Sequence, residues 1–242
     1  MAKQNNYIVC LDFETGGLDP KKNAITQIGM EILDPITLKS LASYSDYVKP
    51  YQKIEKSSGR VKKIVKQRSE SEKYLYDDKA LKYTNITMDL LEEKGKPIQV
   101  VMENMIDMFK KANPSNARNY KPVLLGQNLG FDTGFLQHMF DYCKQDLNKY
   151  VTTYKDFYGN LQPVFFDTQY LSRQYFASNS KVTSVKLGLV SDELGVELVS
   201  AHDAMADVFA TSEIFRNYMM NMRSSIGEES VKQEKSRKHF SL

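Results

Sequence analysis

Residues 7–48 hold three apolar, β-rich runs whose connections are too short for crossover helices, and this fixes how the fold begins. Tyr7-Ile-Val-Cys-Leu-Asp-Phe13 stops at Glu14-Thr-Gly-Gly, so it reads as a buried strand ending in a turn. Residues 24–33 place Ile25, Ile28, Met30 and Ile32 as apolar points before Asp34-Pro35 breaks the run. Residues 38–48 form a third candidate, ended by Pro50. Strands joined this briefly pair as an antiparallel meander.

Beyond residue 96 the pattern changes period. Val101, Met105, Met108 and Ala112 follow Pro97 at helical spacing, and proline suits a first helical turn. Pro122-Val-Leu-Leu-Gly126 reads as a short buried strand, residues 131–143 as a helix, and Val164-Phe-Phe166 as a fifth strand. Helical stretches follow at 168–177, 184–194 and 202–222. Three antiparallel strands followed by alternating helix and strand describe an α/β protein with a mixed five-stranded sheet, its last two strands parallel, flanked by helices.

The chain of 242 residues fits one domain over residues 1–223, with a charged, flexible tail at 224–242. Residues 51–75 interrupt the pattern. They carry Lys53, Lys56, Arg60, Lys62, Lys63, Lys66, Arg68 and Lys73 against Glu55, Glu70 and Glu72, and read as a basic insertion, either a solvated loop or an arm that contacts substrate phosphates. The formal net charge of +3 is too small to mark a nucleic-acid binder by itself. No apolar run reaches the roughly 20 residues of a membrane helix, so no membrane role is expected. Cys10 and Cys143 are the only cysteines. They exclude a disulfide framework and a four-cysteine zinc site and, with no apolar signal core after Lys3, suit a cytoplasmic location.

Asp12 and Glu14 end the first strand on one face, the face of Ile8 and Cys10. Two such charges about 4 Å apart repel by roughly 4 kcal/mol at an effective dielectric of 20, so protonation, basic partners or a cation must compensate. Asp132 stands where a helix begins, after Gly126-Gln-Asn128-Leu-Gly-Phe131; alone it reads as a first-turn acid. His202 and Asp207 open the last helix as His-Asp-Ala-Met-Ala-Asp. Five residues put them about 140° apart on an ideal helix. They share a site only if His202 sits on the lead-in and Asp207 on the helix body. Asp203 reads as a cap or a solvent-facing acid and not as a ligand. Together the four acids fall at element ends that such a sheet can gather. Oxygen donors with one imidazole suit Mg²⁺ or Mn²⁺ better than zinc.

These segments resemble the DnaQ-like (DEDDh) 3′–5′ exonuclease family, to which the proofreading ε subunit of bacterial DNA polymerase III, ribonuclease T and oligoribonuclease belong. Asp12-Phe-Glu14-Thr-Gly-Gly-Leu18 is similar to its first motif, Asn128-Leu-Gly-Phe131-Asp132 to its second and His202-Asp-Ala-Met-Ala-Asp207 to its third. The resemblance spans residues 7–217. It implies a ribonuclease H-like fold, two Mg²⁺ (or Mn²⁺) ions held by Asp12, Glu14, Asp132 and Asp207, and His202 as general base. It also implies that Thr15, Gly16, Gly17 and Leu18 line the pocket for the terminal nucleotide. Phe131 is read as a packing residue that positions Asp132.

The function expected is removal of nucleoside 5′-monophosphates from single-stranded 3′ ends. DNA is favoured over RNA because no residue here senses a ribose 2′-hydroxyl. A DNA polymerase is a candidate partner, in proofreading or repair. The alternatives are an exoribonuclease of the ribonuclease T or oligoribonuclease type, and a non-catalytic nucleic-acid or polymerase-binding module. The last would predict a broken acid set, whereas all five positions are filled.

Overall fold

The computed structural model describes residues 6–51 and 76–229, with side chains to residue 225. The basic insertion expected at 51–75 therefore lies, Tyr51 apart, outside the described residues, as do residues 230–242 of the tail.

The meander forms as the spacing predicts. β1 (Ile8–Thr15), β2 (Ile25–Leu33) and β3 (Ser40–Tyr47) pair antiparallel. β4 (Val123–Gly126) then lies parallel beside β1, and β7 (Phe165–Asp167) lies parallel beside β4. The sheet order is β3-β2-β1-β4-β7, the mixed five-stranded sheet of a ribonuclease H-like fold. β1 and β2 are buried on both sides, because helices cover both faces.

One face carries Val9, Leu11 and Phe13 of β1 with Ile28, Met30 and Ile32 of β2. It packs on α3 (Ile98–Lys111) and α4 (Leu129–Tyr142) through Val101, Met105, Phe135 and Met139. The other face carries Ile8 and Cys10 against Val208 and Phe215 of α7 (Ala204–Glu229). Burial of each such side chain contributes about 1.5–3 kcal/mol. α5 (Thr168–Tyr175) and α6 (Leu187–Leu194) join α7 in a smaller cluster around Val190, Ile214 and Tyr218.

Three features depart from the sequence reading. Two short helices, α1 (Asp78–Thr84) and α2 (Met88–Lys94), and a small hairpin of β5 (Thr153–Lys155) with β6 (Leu161–Pro163) had no strong apolar period to announce them. α1 buries only Leu81 and Thr84, and α2 only Leu91. α7 begins at Ala204 and runs to Glu229, so the first residues of the expected flexible tail are helical. Among the described residues no helix is long and apolar enough to cross a membrane.

Candidate active site

The acids of β1 face α7 as the period-two alternation requires, and β2 brings that helix to them. Asp12 lies opposite Gly29 and Glu14 opposite Gln27. A Cβ on Gly29 would lie 2.4 Å from the Ala204 carbonyl oxygen. A glycine there lets the start of α7 rest on the strand backbone beside Asp12. Gln27 then latches the helix. Its Nε2 donates to Asp203 Oδ2 at 2.7 Å, and its Oε1 accepts from the Ala204 N–H at 3.2 Å. Asp203 Oδ1 accepts from the N–H groups of Met205 and Ala206 at 3.2 and 3.0 Å, so Asp203 is the cap that the sequence suggested.

His202 precedes the helix in a left-handed conformation, φ 67°. Asp207 projects from the helix body. The placement is the one their angular separation demanded. The His202 backbone N–H donates to the Asp207 carboxylate, and the His202 ring packs at a tilt of 42° against Tyr83 of α1, centroids 4.0 Å apart. Glu14, His202 and Asp207 each offer one ligand atom, all within 4.8 Å of one another.

Asp132 arrives on the first turn of α4. Asn128 caps that helix in a left-handed conformation, φ 59°, without a side-chain bond of its own. Asp167 at the end of β7 supplies the missing acceptor. Its two oxygens take the N–H groups of Asn128 and Leu129, each at 3.0 Å, and one also takes the Gln169 N–H at 2.9 Å. Thr168 Oγ1 braces the same turn, donating to the Gly126 carbonyl or the Gln127 amide oxygen. Asp132, 4% exposed, accepts the Phe13 N–H at 3.2 Å. It therefore touches β1 between Asp12 and Glu14. Asp167 and Gln27 were not singled out in the sequence. An aspartate ending an apolar run before a helix was the available signal for the first; for the second there was none.

The cluster strains against its own charge. Burial, then Asp207 and Asp203, push the Asp12 carboxyl up to about 8. Burial, then Asp12 and Asp207, push Glu14 to about 9. Burial raises Asp207 to about 6 despite the His202 N–H. Asp132 is raised by burial and by Asp12, partly offset by the Phe13 N–H. Burial lowers the pKa of His202. Asp207 Oδ1 is buried with no hydrogen-bond partner. Carboxylates held this close, with an orphaned oxygen among them, fit a divalent cation: it would fill the vacant acceptor and offset the repulsion. Oxygen and imidazole donors suit a hard ion.

Beside the acids runs a groove of about 670 Å³. Glu14, Thr15, Gly17 and Leu18 form one wall, and Ala80 and Tyr83 of α1 the other. Leu18 is 84% exposed. Thr15 Oγ1 donates to the Gly17 carbonyl at 2.7 Å and sets the turn. Gly16 is not part of the lining; its backbone ties the turn to Ala24 and to Asp77, which caps α1. Phe131 packs on Phe135 with centroids 5.0 Å apart and also lines the groove, a second role that the sequence reading did not give it.

Comparison with known proteins places the fold and the family. The chain is 23% identical over 221 residues to a PolC-type DNA polymerase III of Thermotoga petrophila, covering 91% of this chain and 12% of that one. Solved structures of E. coli exonuclease I share the fold. One, in complex with a dT13 oligonucleotide, has a TM-score of 0.64 at 18% identity and covers 96% of this chain and 44% of that one. Another, a zinc-bound complex with single-stranded DNA, has a TM-score of 0.65 at 19% identity and covers 92% and 42%. This chain thus spans under half the length of these relatives. Residues 7–218, spanning all three motifs, match the family described as DNA polymerase III subunit epsilon-like, C-terminal domain, and the chain belongs to that family.

Proposed function

We propose that the protein is a metal-dependent 3′–5′ exonuclease that removes nucleoside 5′-monophosphates from single-stranded 3′ ends, with DNA the favoured substrate. The observation that carries this is the convergence of Glu14, His202 and Asp207 within 4.8 Å, with Asp207 Oδ1 buried and unpartnered. Asp12 lies close enough to raise the pKa of Asp132, and Asp207 that of Asp12.

Asp12, Glu14, Asp132 and Asp207 are the residues that would hold two Mg²⁺ or Mn²⁺ ions, and such ions supply charge neutralisation at the phosphodiester and a more acidic water. His202 accepts the proton of the attacking water. Its pKa, lowered by burial, keeps the imidazole neutral and able to accept near pH 7. The bond from its backbone N–H to Asp207 holds the residue beside the acids, and the tilted contact with Tyr83 holds the ring. Thr15, Gly17 and Leu18 hold the terminal nucleotide in the groove, with Leu18 against the last base and Gly16 supporting the turn. The family and the PolC-type relative make a polymerase a natural partner, in proofreading or repair.

The test is a 5′-labelled single-stranded oligonucleotide incubated with the protein and Mg²⁺. A ladder shortening from the 3′ end, with release of nucleoside 5′-monophosphate, is expected from wild type and lost in Asp12→Ala. Full-length DNA after prolonged incubation with wild type would overturn the proposal. Competition by a matched RNA oligomer decides the sugar preference, and preferential cleavage of the RNA would reverse it.

A further inference from the structure

A second cavity of about 670 Å³ lies between α5 and the loop of residues 176–186, and the exonuclease chemistry above leaves it unused. It sits at the same end of the sheet as the acids, beyond β4 and β7. Its floor is apolar, because Phe176 and Val185 pack into the cluster around Val190, Ile214 and Tyr218. Its rim is cationic and polar, with Arg173, Lys186, Gln169, Asn179 and Thr183. No carboxylate lines it. Among the described residues, the side chains of Arg173 and Lys186 have neither an ion pair nor a hydrogen-bond partner. α6 begins just past Lys186, and its first turn has no side-chain cap.

Two connections tie this cavity to the turn that delivers Asp132. Gln127 Nε2 donates to the Val185 carbonyl at 2.7 Å. The Gln169 N–H shares Asp167 with Asn128 and Leu129. From Asn128 to Asp132 the helix rises only roughly 6 Å. An unpaired cationic rim thus sits next to an acid cluster that would by itself repel a polyanion.

We propose that this cavity is a phosphate subsite: Arg173 and Lys186 hold the backbone phosphates of the substrate strand just 5′ of its terminal nucleotide. The proposal rests on the exonuclease reading and adds the path of the strand to it. Bidentate arginine and a flexible lysine suit phosphodiesters without regard to base. The amide and hydroxyl groups add donors, and the apolar floor leaves room for a sugar.

The test compares wild type with the double variant Arg173→Gln/Lys186→Gln on two substrates. One is an oligothymidylate of about twelve nucleotides, within the usual site-size range. The other is the p-nitrophenyl ester of thymidine 5′-monophosphate, which has no strand 5′ of the scissile bond. A control variant, Lys110→Gln/Lys111→Gln, removes the same charge from α3 on the opposite face. For the oligomer, the subsite variant should raise KM about tenfold at low salt and flatten the log–log salt dependence by about 1.4, or 0.7 per lost phosphate contact. Hydrolysis of the ester should be unchanged, and the control should behave as wild type. An unchanged oligomer KM and salt slope, or equal effects from the control, would overturn the subsite. Binding of the labelled oligomer by anisotropy in Ca²⁺ reads the same slope without turnover. If wild type cleaves neither substrate, the exonuclease reading fails while the binding slope still decides the subsite.

Discussion

His202 is the residue whose position says most about the chemistry, because its backbone pays a conformational penalty to hold it there. A non-glycine residue at φ 67° is uncommon, and asparagine tolerates that region better than most. His202→Asn should therefore keep the local fold, with thermal stability within about 0.5 kcal/mol of wild type. It should lose the proton acceptor, lowering kcat by about 10²–10⁴. Steady-state kinetics with thermal scanning checks both halves; kcat within tenfold of wild type would remove His202 from the general-base role. Gly29 makes the opposite case, a residue with no chemistry that the site depends on. Gly29→Ala puts a Cβ where the Ala204 carbonyl already stands. Overpacking of this kind costs about 1–3 kcal/mol, and at about 2–4 °C per kcal/mol for a chain of this size it should lower Tm by about 2–12 °C. Activity should fall with it, because His202 and Asp207 move with the start of α7. Unchanged Tm and kcat would mean that the helix yields freely. Asp12 and Glu14 could be picked out from the sequence because carboxylates on the core side of an apolar strand have no packing reason to be there, whereas Asp132 and Asp207 gained meaning only in combination with them. Gly29 could not, because its meaning lies in a contact across 175 positions of chain.

At the scale of elements, the legible parts were those with an apolar run or period: the three-strand meander, β4, β7 and α3 to α7. α1 and α2 rest on caps, not on burial. Asp77 accepts from the Lys79 N–H and Thr87 from the Leu90 N–H, and such signals are short and common along any chain. Yet α1 carries Tyr83 and one wall of the groove, so what periodicity missed is part of the site. Asp167 shows how one element serves another. It closes β7, caps α5 and holds the entry to α4. Asp167→Ala leaves three N–H groups at two helix starts without their acceptor, which costs about 1–3 kcal/mol. The turn before Asp132 should loosen. The expected result is a Tm lower by several degrees and a kcat reduced at least tenfold, with KM for the oligonucleotide little changed. A change confined to KM would place Asp167 in substrate binding and not in the positioning of Asp132.

For the molecule as a whole, the acid cluster links stability to pH and to cations. Asp12, Glu14 and Asp207 have folded-state values of about 8, 9 and 6 against ordinary values of 3.8, 4.5 and 3.8. In the metal-free protein the folded state binds more protons than the unfolded chain throughout this interval, so stability falls as pH rises. Their contribution is fully present below about pH 4 and is lost through about pH 9. In EDTA, Tm should therefore decline from pH 5 to pH 9 more steeply than the rest of the chain dictates. Saturating Mg²⁺ or Mn²⁺ should reverse that decline, since a ligand at a hundred times its Kd stabilises by about 2.7 kcal/mol. For this length that amounts to about 5–10 °C, growing toward pH 9 as the carboxylates shed their protons. Asp12→Asn removes one charge from the crowd. It should raise Tm in EDTA at pH 8, flatten the pH dependence and abolish most of the cation-induced rise. Thermal scans of both proteins across pH, with and without the cation, carry the test. Parallel curves for wild type in EDTA and in Mg²⁺ would mean that the cluster does not bind the ion, and the metal-dependent reading would fall with it.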